Sequence, residues 1–166
     1  NVYHDSYVIR AQAAKALRIV GAFGALENML DDPDPRVRRA ALDGMTDYNY
    51  WFGMGSDPIA HKDFSPKMAA SIKRMLNDTN ESWWVVDGAL LALNRAPAGT
   101  INELVPLIMP WLKHEDWWLR ESAFMALLGM RTDTNLFLKV LPAMMDMVAK
   151  EYHTQPRERC LNALGS

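Results

Sequence analysis

A single cysteine, Cys160, stands among 166 residues, so the chain has no internal disulfide and no thiolate-rich zinc site. Long apolar runs are scarce too. Stretches such as LVPLIMPWL at 104–112 fall well short of the roughly 20 residues that a membrane helix needs, and no membrane insertion is expected. Neither sign of charge prevails: 18 Lys+Arg stand against 20 Asp+Glu, split as 10 against 11 in residues 1–83 and 8 against 9 in residues 84–166. With no basic tail or acidic block, the chain is not expected to bind nucleic acid or an anionic membrane surface. Catalytic constellations are also missing. His4, His61, His114 and His153 form no His-x-x-x-His pair, there is no Gly-x-Ser-x-Gly elbow, and GMGSDP at 53–58 has no following Gly-Lys-Ser/Thr and no preceding strand. No cofactor and no metal ion is called for. An initiator Met and a charged-then-apolar leader are lacking as well, and a chain starting at Asn1 is expected to be a piece of a longer protein.

What is present is a repeat. The content is 49% hydrophobic and 23% charged, enough for a sizeable core in one domain spanning 1–166. With Val37 of DPDPRVRRAALDGM as anchor, the same pattern returns at Ile9, Val85, Leu119 and, more weakly, Pro156. Four positions on stand Ala13, Ala41, Ala89, Ala123 and Cys160; seven on, Ala16, Gly44, Ala92, Ala126 and Ala163; eight on, Leu17, Met45, Leu93, Leu127 and Leu164. Spacings of 4, 7 and 8 share one helix face, and the small residues there let a neighbouring helix approach. Cys160 sits in an alanine slot and reads as a buried small hydrophobe. Three residues before the anchors stand Ser6, Asp34, Ser82, Asp116 and His153, four of them good N-cap types. Between the copies lie further apolar-periodic segments near 22–30, 65–77, 101–113 and 134–152. The unit is a helical hairpin that buries its apolar face only by stacking on its neighbours.

LDDPDPRVRRAALDGM resembles the HEAT-repeat signature in its Asp-Pro turn, Val-Arg pair and Ala/Leu ladder, and the other copies resemble it to decreasing degrees. The resemblance implies an all-α fold, a right-handed α-solenoid of about five HEAT-like hairpins. It further implies a noncatalytic scaffold or interaction module whose partner is a protein or peptide, or another domain of the same longer chain. One position past the anchors, Arg10, Arg38, Arg120 and Arg157 form a ladder broken by Val86. These arginines are expected to tie inter-repeat turns through carboxylates such as Asp34 and Asp116.

Two features carry the candidate site. The first is the paired tryptophans, Trp83-Trp84 and Trp117-Trp118, one 34-residue repeat apart. They are expected to form a two-by-two aromatic cluster that either seals a repeat interface or offers a platform for a peptide aromatic or a sugar face. SWWVVD and DWWLRESA also resemble segments of the HEAT-like alkylpurine DNA glycosylases, which implies an alternative as an enzyme on alkylated DNA with Trp83, Asp87 and Arg120 at or near the site positions. In the aligned register, however, Glu121 stands at the arginine place, no tryptophan falls near 160–163, and the positive charge that duplex binding needs is missing. The second feature is a long insertion, residues 46–66, which brings Tyr48, Tyr50, Trp51 and Phe52 among turn formers and reads as a contact surface. Five methionines, Met125, Met130, Met144, Met145 and Met147, read mainly as core.

Overall fold

The computed structural model describes residues 5–46 and 64–165. Among them stand nine α-helices and no strand: α1 (Tyr7–Ile19), α2 (Phe23–Met29), α3 (Pro35–Met45), α4 (Pro66–Asn77), α5 (Trp83–Leu93), α6 (Ala98–Ile108), α7 (Trp117–Leu128), α8 (Thr134–Lys150) and α9 (Thr154–Gly165). Helices α1, α3, α5, α7 and α9 are the five copies of the repeat, and α2, α4, α6 and α8 are the intervening segments. Short 3-10 turns at Met109–Lys113 and Gly129–Thr132 extend α6 and α7. The candidate residues Tyr48, Tyr50, Trp51 and Phe52 lie outside the described residues.

Helix starts follow local chemistry, though not always by the expected side chain. Asp34 caps α3 by accepting from the Arg36 backbone N–H, and Pro35 occupies the first turn, where its missing N–H costs nothing. Ser65 and Asp133 cap the intervening helices α4 and α8 in the same way. Ser6 and Asp116 hold the N-cap position of α1 and α7 without a side-chain capping hydrogen bond. The Asp116 N–H is instead received by His114 Nδ1.

The chain divides into two compact units, Asn1–Ala92 and Leu93–Ser166. In the first, α1 stacks on α3 and α2 packs against both, closing over Leu26, Leu30, Val37, Ala41 and Leu42. A Cβ on Gly44 would meet the Leu26 methyls at 3.2 Å, which is why the seventh-position slot takes a small residue here. The first copy departs from the expected ladder. Ile9 is 41% exposed and Ala16 is exposed, while Ala14 is fully buried.

In the second unit α7 is the central helix, buried without a break from Glu121 to Leu128. It contacts α6, α8 and α9, and a helix enclosed on all sides reads as apolar all round. Met125, Met130, Met144 and Met147 are core, as expected, whereas Met145 faces outward. Cys160 is fully buried in its alanine slot. Burial, reinforced by the Glu121 carboxylate, pushes its thiol up to about 12, so it carries no thiolate at neutral pH.

Three of the ladder arginines tie the turns, as expected, but to other acids than Asp34 and Asp116, while Arg157 is exposed and makes no such tie among the described residues. Arg10 forks onto both Asp32 oxygens at 2.7 and 2.9 Å, Arg38 Nη2 meets Glu81 Oε1 at 2.5 Å, and Arg120 meets Glu151 Oε2 at 2.8 and 2.6 Å. Each acid stands one or two residues before the next copy's cap and also accepts that cap's backbone N–H: Asp34 for Asp32, Ser82 for Glu81, His153 for Glu151. Each arginine also donates to carbonyls of its own turn, Asp5 for Arg10, Asp32 and Pro33 for Arg38, His114 and Glu115 for Arg120. Asp34 pairs with Arg36 instead, and Arg36 lies over the Tyr7 ring at 3.3 Å.

Candidate functional site

The four tryptophans fall in different units, Trp83 and Trp84 in the first and Trp117 and Trp118 in the second, and each pair has its own surroundings. Trp83 opens α5 and is 53% exposed; Trp84, next in the chain, is half-buried. One turn on, Asp87 faces Arg39 of α3, with Oδ2 2.8 Å from Nη1 and both side chains largely shielded. The same guanidinium bonds to the Trp84 carbonyl oxygen and, through Nε, to Asp43 at 2.6 Å. Gly88 makes room for it, because a Cβ there would lie 2.9 Å from Arg39 Cδ. An acid bridged in this way serves as an ion-pair partner and holds the start of α5 to α3.

In the second unit Trp117 is half-buried and Trp118 is 36% exposed, their rings edge to face at 5.8 Å. Trp117 lies near the His153 ring, 6.0 Å away, and the Arg159 guanidinium stands 5.8 Å from its centroid. Arg159 forks onto Glu121 at 2.5 and 2.6 Å. Glu121 is the residue at the register of the glycosylase arginine, and its carboxylate is nearly buried within this pair. Arg120, the nearby alternative, is occupied by Glu151 and the turn carbonyls.

Sequence reasoning missed Arg39 and Arg159. For Arg39 a signal existed: two positions past the anchor, Arg39, Asp87 and Glu121 share one register with changing sign, whereas Arg159 stands one position outside it. Residues on one face of stacked helices pair when their charges oppose. Glu151 carries a further mark of its surroundings. Burial alone would push its carboxyl up, but hydrogen bonds from the His153 backbone and ring and from Arg120 outweigh this and hold it below the usual glutamate range.

Stacked helical pairs with arginine-tied turns define the class of α-helical repeat proteins. The HEAT repeat family model matches residues 22–48, which hold α2, α3 and the turn between them. Several solved structures share this fold, designed proteins among them. An engineered protein has a TM-score of 0.65 at 16% identity, covering 98% of this chain and 77% of its own. Computationally designed armadillo repeat proteins for modular peptide recognition reach 0.61 at 15% identity, covering 99% and 78%. A designed armadillo repeat protein in complex with the peptide (KR)4 reaches 0.56 at 15% identity, covering 93% and 68%. At such identities the likeness is one of fold. No curated protein sequence matches the chain.

Proposed function

We propose that this chain is a noncatalytic repeat scaffold that binds protein or peptide segments, as a module of a larger protein, with the tryptophan-bearing start of α5 in the first unit, or that of α7 in the second, in contact with the partner. The observation that carries this reading is a division of labour on those helices. Asp87 and Glu121 are engaged in ion pairs with Arg39 and Arg159, and the indoles of Trp83 and Trp118 present 53% and 36% of their surface to solvent. Indole offers large contact area with few rotamers to freeze, which suits it to anchoring a partner. Peptide recognition by designed armadillo relatives of the same fold supports a peptide as the partner class.

Peptide phage display against the immobilised chain tests it, with affinities of selected peptides remeasured on Trp83→Ala and Trp118→Ala. At least one substitution is expected to weaken binding by about 30-fold, on the order of 2 kcal/mol for a contact hot spot, with helix content unchanged by circular dichroism. A selection that enriches nothing above a blank surface, or peptides indifferent to both substitutions, would overturn the reading.

A further inference from the structure

The second unit carries a cleft of about 520 Å³ whose lining includes no tryptophan, within the size range of ligand sites. Its floor is apolar, made by Met109 and Leu112 of the turn after α6 and by Ala143 and Met147 of α8. Its rim is basic. Lys113, Arg120 and Lys150 line it against one acid, Asp146. Arg120 is answered by Glu151 at 2.6 Å, and Lys150 by Asp146 at 2.8 Å in an exposed pair that solvent screens. Lys113 is the remaining cation, exposed at the edge of the floor and without an ion-pair partner among the described residues. Tyr152, 78% exposed, stands at the mouth with its ring tilted against His153 at 4.1 Å.

Resting on the scaffold reading above, we propose that this cleft receives an acidic peptide segment, a bulky apolar side chain lying on the methionine floor and a neighbouring carboxylate meeting Lys113. Charge complementarity decides the occupant. A basic segment would bring cations against an uncompensated lysine, which costs affinity, while a carboxylate supplies the missing counter-charge. A phosphate group is a poorer fit, because the planar fork that would grip it, Arg120, is already engaged by Glu151 and two turn carbonyls. Met147 and Met109 give a floor that adapts to different apolar side chains.

Fluorescence anisotropy with two labelled hexapeptides, Glu-Asp-Leu-Phe-Glu-Asp and its charge-reversed form Lys-Arg-Leu-Phe-Lys-Arg, tests the proposal on the intact chain and two variants. The acidic peptide is expected to bind and the basic one not, with affinity falling as salt is raised. Lys113→Glu, at an exposed position, is expected to weaken binding about tenfold, roughly the effect of reversing one close charge. Ala143→Phe, which fills the cleft, is expected to weaken it at least as much. Absent binding of the acidic peptide, tighter binding of the basic one, or affinity unchanged in both variants overturns the cleft assignment. If display-selected peptides depend on Trp83 or Trp118 and ignore Lys113→Glu, the scaffold reading stands and the cleft assignment alone falls.

Discussion

Gly129 ends α7 with φ −58°, an ordinary helical value, so no left-handed turn demands a glycine there. What demands it is proximity: a Cβ would lie 2.7 Å from the Asn94 carbonyl oxygen and 2.7 Å from Ile101 Cδ1. Asn94 is itself fixed, its side-chain amide donating to the Met125 carbonyl at 2.8 Å. Backbone cannot yield as a side chain can, so Gly129→Ala is expected to destabilise by about 1–3 kcal/mol, the usual cost of overpacking. Gly99→Ala is the control. Nothing lies within 4 Å of its Cβ position, and alanine in a helix should be neutral or stabilising by up to about 1 kcal/mol. Urea melts of the two variants would tell them apart, and coincident curves would refute the close-approach argument. Residues of this kind are where sequence legibility ends: a glycine after an apolar helix reads as a terminator, and only the packed neighbour reveals the contact that excludes every other side chain. Ala41, Ala89, Ala123 and Cys160, by contrast, are legible from spacing alone, and all four are fully buried.

Among elements, the turns before α3, α5 and α9 share one device: an acid that receives the cap's N–H and the arginine of an earlier repeat helix. The arginines were readable because they recur at a fixed step from the anchor. Their acids were not, because the turns differ in length and Asp32, Glu81 and Glu151 stand at two, one and two residues before the cap. The device has a pH signature at Glu151. Its folded carboxyl is held below the ordinary value of 4.5, so the unfolded chain takes up a proton first as pH falls. The stabilisation is therefore present above about pH 4.5 and is lost as pH drops through the lower folded value. Urea midpoints measured from pH 7 to pH 3 are expected to fall less steeply in Glu151→Gln than in the unaltered chain, even though the variant starts less stable. Parallel slopes would show that the tie does not titrate.

Across the whole molecule, the division into Asn1–Ala92 and Leu93–Ser166 falls inside α5, where no composition shift or linker marks it in the sequence. The all-α repeat class was legible because five copies of one pattern agree. The candidate site was legible only in part: aromatic positions were visible, but which indoles stay open depends on neighbours that spacing does not name. In arrays where each repeat touches mainly its neighbours, stability is local. Hydrogen exchange by mass spectrometry is expected to show Gly129→Ala losing protection in residues 98–150 first, with residues 35–45 little changed; uniform loss along the chain would mean global cooperativity instead. The arginine ties carry a consequence for how such a chain grows. Arg10 with Asp32 and Arg38 with Glu81 each join one copy to the turn introducing the next, so a duplicated repeat arrives with an acid facing backward and an arginine facing forward. Duplication of a unit could thus lengthen the array while every new junction finds its counter-ion ready, except after the copy that carries Val86 in place of an arginine.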